Sequence, residues 1–438
     1  MKKIVLTLFL IMSLVFISKS VQAQSESSFN WQEYIDNQTE ELYEKLVEWR
    51  RHFHQYPELS NREFETAQKV ASHLRELGIE VQTGVAHTGV VGILEGGKPG
   101  PVVGLRADMD ALPVKERVDI PFASEVMSEY MGEEVPVMHA CGHDTHIAML
   151  MGVAEMLSEV RDQIPGTVKF IFQPAEEGTP PGEEGGAEMM VKEGVLQNPD
   201  VDVIFGLHIS SQTPVGHINY RPGGIMAASN RFSIEVKGVQ THGARPWGGV
   251  DPIVASAQII NNLQTIVSRQ TELTKEAAVI TVGIMRAGVR NNIIPEEAYL
   301  EGTIRTLDTD MMEKLFEQMH RTVEYTAKSF GAEAELTIYD GYPVTYNDPE
   351  LTARMASTLE RVAGLERTHV INAITGAEDF SFFQREIPGL YFFIGGMPPD
   401  MDPADAAPHH TPDFYLDEEG MKTGVRALAN LTIDYMMK

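Results

Sequence analysis

Three short apolar runs in this 438-residue chain each stop on polar side chains. Val102-Val103-Gly104-Leu105 leads into Arg106-Ala107-Asp108, residues 168–172 lead into Gln173-Pro174-Ala175-Glu176-Glu177, and residues 203–207 lead into His208. Runs of this length read as buried strands. Between the first and second of them, residues 145–160 are apolar nearly all round, as a helix packed against a sheet should be. Strands alternating with helices imply an α/β sheet, and ligands of such sheets gather beyond the carboxyl ends of the strands. The polar residues named above fall there.

Around this core the chain divides. Residues 37–77 read as helix with a turn at Tyr56-Pro57, and Gly78 stands where a helix C-terminus is usually capped. From Ser229 the pattern changes. Strands over 231–237, 278–285, 298–305 and 334–339, with helices over 251–267 and 310–329, give the ferredoxin-like order β-α-β-β-α-β. This segment, residues 229–340, reads as an insert between residues 24–228 and 341–438 of one domain. Residues 1–23 read as a signal peptide: Lys2 and Lys3, an apolar run over 4–17, and Val21-Gln22-Ala23 before Gln24. The alternative is an uncleaved anchor. Cleavage removes three lysines and no acids, moving the net charge from −28 to −31. Such a surface repels nucleic acid and anionic membranes, so neither is expected as a partner, and an exported, periplasmic or secreted protein is.

Cys141 is the only cysteine, so no internal disulfide staples the fold. Stability must come from a core, for which hydrophobics at 43% of the chain suffice. Cys141 can pack, attack or ligate. It stands two residues from His143, just before the helix that begins near Asp144, where a helix N-terminus favours a thiolate. Glu176-Glu177, His208 and the tandem His409-His410 add hard and borderline donors. Each has an ordinary reading alone, as an inert thiol, solvated acids or structural histidines. Their recurrence at strand ends points to a metal site.

The motifs 104-GLRADMDALP-113, 139-HACGHDTH-146, 173-QPAEE-177 and 206-GLH-208 follow one another in order, and 292-NIIP-295, 376-GAEDF-380 and 410-HTP-412 continue the series. Together they resemble a metal-dependent amidohydrolase family that includes hippurate hydrolases, N-acyl-amino-acid deacylases and plant indole-acetyl-amino-acid hydrolases, and is related to aminoacylases and glutamate carboxypeptidases. The resemblance implies a zinc-peptidase-like catalytic domain, with a mixed central sheet flanked by helices, and makes the insert a lid and dimerisation domain. It implies two divalent metal ions, Mn²⁺ or Zn²⁺ with Ni²⁺ or Co²⁺ as alternatives, on Cys141, His143, Glu177, His208 and His410. Glu176 would be the general base, Asp108 an acid orienting a ligand, and His242 a contact to the substrate carbonyl, often from a partner subunit. Asn292, Arg305 and Glu378 would bind substrate.

The activity implied is hydrolysis of the amide of N-acetyl or aromatic N-acyl amino acids by a homodimer built through the lid. The alternatives are a carboxypeptidase or dipeptidase acting on short peptides, and a binding protein that is catalytically silent. Three departures from the family pattern stand out. Trp247 follows Pro246 where a histidine is usual, residues 179–184 look like extra sequence at the pocket rim, and the tandem His409-His410 leaves a choice, with His410 in the motif's place.

Overall fold

The computed structural model describes residues 29–437, so the expected signal segment lies outside the described residues. Eight strands form one mixed sheet in the order Glu80–Val85, Gly89–Glu95, Pro165–Gln173, Lys98–Asp108, Val203–Pro214, Gly389–Met397, Ile218–Tyr220 and Thr368–Val370. The apolar runs are its middle. Phe170, Phe172, Phe205 and Leu207 face the helices Trp31–Gln55, His143–Glu159 and Gly420–Met437, while Ile171, Ile204 and Tyr391 face a second layer with Met190, Phe380 and Phe383. Strands covered on both faces must be apolar throughout, which is why their alternation is lost.

The first helix is Trp31–Gln55, which starts earlier than residue 37 because Asn30 caps it, accepting the Glu33 amide. The next, Phe64–Glu76, ends before Gly78, whose φ of +69° only glycine adopts freely. His208 does not end its strand. The neighbour Lys98–Asp108 pairs only as far as Gly206, whereas Gly389–Met397 pairs on the other flank to Pro214. His208 therefore lies where one neighbour lets go and the other holds.

A separate sheet of four antiparallel strands runs Ala278–Ala287, Glu297–Thr306, Ala228–Lys237, Glu333–Tyr342. The helices Pro252–Thr265 and Thr309–Ser329 pack on it around Phe232, Ile234, Ile259, Leu300, Leu315 and Met319. Asp251 and Asp308 cap these helices through their side chains. Beyond Tyr342 the chain returns to the large sheet, where Gly389–Met397 inserts beside Val203–Pro214. Among the described residues, no helix is long and apolar enough to cross a membrane.

Candidate metal centre

Cys141, Gly142 and His143 form the entry to the helix His143–Glu159. Gly142 has φ of +95°, and a Cβ there would meet Ile209 Cγ2 at 2.6 Å and Leu416 Cδ1 at 3.0 Å. A side chain is thus excluded by conformation and by space. Gly142→Ala is expected to destabilise the protein by about 1–3 kcal/mol, read as a lower Tm, because the turn must distort.

The thiol faces two imidazoles: Cys141 Sγ lies 3.3 Å from both His208 Nε2 and His410 Nε2. His410 Nε2 is also 3.0 Å from Glu177 Oε1. His143 Nε2 stands 3.9 Å from carboxylate oxygens of both Glu176 and Glu177. Backbone partners set the tautomers. His143 Nδ1–H donates to the Asp110 carbonyl at 2.8 Å and His208 Nδ1–H to the Ile209 carbonyl at 2.6 Å, so both rings turn Nε2 inward. His143 Nε2 is buried without any hydrogen-bond partner.

The tandem histidines differ in the same terms. His409 Nε2 accepts the Ser211 amide at 3.2 Å, which leaves the proton on Nδ1, facing the Cys141 carbonyl at 3.2 Å and Sγ at 3.6 Å. Both its nitrogens are engaged. His410, in a left-handed conformation with φ of +63°, is tied by its amide to the Ala140 carbonyl and presents Nε2 to the thiol and to Glu177.

Charge at this point is strongly negative. Burial and the neighbouring Glu177 and Glu176 carboxylates push the Cys141 thiol well above its ordinary value. Burial, then Glu378, Glu177 and Asp379, raise the Glu176 carboxyl well above the carboxylate range. Burial opposes protonation of His143, but Asp108, Asp110 and Glu177 still lift it to about 10. Such a potential suits a cation, and so do a thiol, inward imidazole nitrogens and a carboxylate. The donor set fits divalent metal.

Behind the donors lies a buried layer. The Asp110 carboxylate accepts the amides of Glu176 and Glu177, each at 3.0 Å, and the Ser60 hydroxyl at 2.7 Å. Arg106 is buried and donates to Gln173, Asp108, Glu378 and Asp379. Sequence reasoning passed over Asp110 and Arg106 as actors. Their signal was the alternation Arg106, Asp108, Asp110, three charges on one face where a buried strand ends.

Other expected residues sit differently. Asp108 bonds His146 Nδ1 at 2.6 Å rather than any of the five expected ligands, with His143 Nδ1 3.8 Å away. His146 in turn accepts the Ile209 amide beside His208. Glu378 lines the cavity, yet its carboxylate already accepts from Arg106, the Phe380 amide and Tyr391. His242, Asn292 and Arg305 do not line it: His242 is exposed with Nδ1 accepting the Ala244 amide, Asn292 is exposed, and Arg305 donates to Ser229. Trp247 is exposed and also apart from the cavity. Residues 179–184 do not reach its lining either, since Glu183 is drawn aside by Arg62 and Asn61.

The cavity over the donors holds about 530 Å³. Its lining combines Cys141, Glu176, Glu177, His208 and His410 with the apolar Met226, Ile371, Ile374 and Phe393, and the Phe393 ring stands 6.3 Å from that of His208. Neither arginine nor lysine is among its lining residues.

Residues 104–434 match the model of peptidase family M20/M25/M40. The chain belongs to that family. This M20 protein is 41% identical over 408 residues to thermostable carboxypeptidase 2 of Saccharolobus solfataricus, covering 93% of this chain and 99% of that one. It is 36% identical to N-acetylcysteine deacetylase of Bacillus subtilis, over 90% of this chain and 97% of the relative. Among solved structures it is similar to a dinuclear metal-binding peptidase of the M20 family from Bacillus subtilis, with a TM-score of 0.75 and 34% identity over 91% of this chain and 99% of that one. The M20 fold and the mixed sheet agree with the motifs, and the protein is a metallo-hydrolase of amide bonds.

Proposed function

We propose that this M20 protein hydrolyses the amide bond of N-acyl amino acids, with a preference for bulky apolar acyl groups. The observation that carries the reading is the cavity itself: Met226, Ile371, Ile374 and Phe393 share its lining with the donors and Glu176, and neither arginine nor lysine is among its lining residues. Burying a phenyl or indole group there gains roughly 25 cal/mol per Å² of apolar surface, whereas an anionic acyl group would meet neither arginine nor lysine.

In this reading Cys141, His143, Glu177, His208 and His410 hold two divalent cations, with Mn²⁺ or Zn²⁺ the expected metals. Bound there, the cations lower the pKa of a water and polarise the scissile carbonyl. Glu176 is the general base. Ionised beside the bound cations, its carboxylate would take the proton of the attacking water and return it to the amide nitrogen, so that the amine leaves neutral. Asp110 fixes the Glu176 and Glu177 amides, which keeps the base and the adjacent ligand in register. Asn292 and Arg305 would hold the substrate's carboxylate, and His242 its carbonyl, across a subunit interface formed by residues 229–340.

A carboxypeptidase reading is favoured by one observation, the name of the 41% identical relative. The two are separated by assaying hippurate, N-acetyl amino acids and dipeptides on protein reconstituted with Mn²⁺ or Zn²⁺. Highest kcat/KM on aromatic N-acyl amino acids supports the first; highest on peptides supports the second. No turnover across the panel with metal bound leaves a binding protein. Export is part of the proposal, and mature protein recovered outside the cytoplasm is expected to begin at Gln24 by N-terminal sequencing.

A further inference from the structure

The loop bearing Glu176 and Glu177 turns through an alanine in an unusual conformation. Ala175 is buried and has φ of +53°, a left-handed region that a Cβ disfavours. Something must hold it there. Its amide donates to Glu63 Oε1 at 2.9 Å, and Glu63 Oε2 accepts the Thr88 hydroxyl at 2.6 Å. Glu63 is fully buried. It stands at the N-cap of the helix Phe64–Glu76, yet its side chain caps nothing there. Glu58 does that instead, accepting the amides of Glu65 at 3.1 Å and Thr66 at 2.9 Å.

A carboxyl group withdrawn from water and excused from capping is costly unless its bonds matter to the fold or the site. Those bonds continue a series: Glu63 takes the amide of Ala175, and Asp110 takes the next two, of Glu176 and Glu177. The Tyr342 hydroxyl closes the loop from the far side, donating to the Glu176 carbonyl at 2.6 Å. Glu63 does not line the cavity and touches neither glutamate side chain by a hydrogen bond. Burial and the Asp110 charge push its carboxyl up to about 8, so a neutral amide is a close mimic.

We propose that Glu63 is a positioning residue, which holds Ala175 in the left-handed turn that aims Glu176 and Glu177 into the cavity. The inference rests on the metal-hydrolase reading for the use of that aim.

The test compares E63L, E63Q and the double variant E63L/A175G, reading kcat, KM, and Mn²⁺ or Zn²⁺ affinity by competition with a chromophoric chelator. E63L is expected to lose about 10- to 100-fold in metal affinity and kcat, with KM little changed. E63Q, which keeps an acceptor for Ala175 and whose NH2 can donate to the Thr88 hydroxyl once that hydroxyl turns to accept, is expected to stay close to wild type. In E63L/A175G most of the loss is expected to return, because glycine adopts the turn without an anchor. A residue needed only for stability would gain nothing from that glycine. If E63L does not fold, T88V with and without A175G gives the same comparison, since it frees one oxygen of Glu63. Wild-type kcat and metal affinity in E63L, or no recovery in the folded double variant, would overturn the proposal. Wild-type protein that binds metal but hydrolyses nothing overturns the functional reading alone, and the metal-affinity arm then decides the role of Glu63.

Discussion

Glu176→Gln is expected to lower kcat by about 10²- to 10⁴-fold, or roughly 3–5 kcal/mol of barrier, while leaving metal content near wild type. The substitution is nearly isosteric. The backbone bonds that place the residue, from its amide to Asp110 and from Tyr342 to its carbonyl, do not involve the altered group. What disappears is the ability to accept a proton. Steady-state kinetics on the best panel substrate, with metal measured by mass spectrometry on the same sample, checks it. An E176Q enzyme with full turnover would remove Glu176 from the mechanism. Loss of metal in proportion to activity would make Glu176 a ligand instead.

The second large effect is expected at Cys141. In Cys141→Ser the soft donor between His208 and His410 becomes a hydroxyl, and divalent metal affinity is expected to fall by about 100-fold or more. Ligand binding to the native state raises stability by about 2.7 kcal/mol at 100 times Kd, so added metal should raise the Tm of wild type and hardly that of the variant. Thiol labelling gives an independent reading. Wild-type Cys141 is expected to resist alkylation when loaded and to react after chelation. An active, metal-replete serine variant would return Cys141 to a packing role. An alkylation-sensitive loaded enzyme would point to a nucleophile.

The sequence carried the sheet and most of the donors, and it did so for a physical reason. Strands such as Pro165–Gln173 are covered on both faces, so they stand out as apolar runs, and the residues where they stop are necessarily near the ligand crevice. Cys141 and His143 were legible because two donors flank one glycine. The supporting layer was not. Glu63 and Asp110 act on backbone amides, and a carboxylate that binds backbone leaves no pattern of spacing. Glu63 also sits where an acid at a helix start is commonplace. His409 and His410 differ in which ring nitrogens the backbone engages, a difference that appears only with the partners Ser211 and Ala140 in place. His242, Asn292 and Arg305 lie in the segment 229–340, away from the cavity lining, so no reading of one chain could tell whether they reach substrate.

The inward-facing donors come from both sides of the four-stranded sheet in the chain: four precede residue 229, and His410 follows, 269 positions after Cys141. The strand Gly389–Met397 must also enter the large sheet before the loop bearing His410 can reach the thiol. A chain emerging from its N-terminus therefore carries four of the five candidate donors before His410 is made. A cation held by these donors would act as a clasp between the strands before residue 229 and the loop bearing His410, offsetting part of the entropy of ordering that loop. Removing the ion should accordingly loosen the loop bearing His410, read as limited proteolysis there, while the helix Gly420–Met437 stays packed in the core.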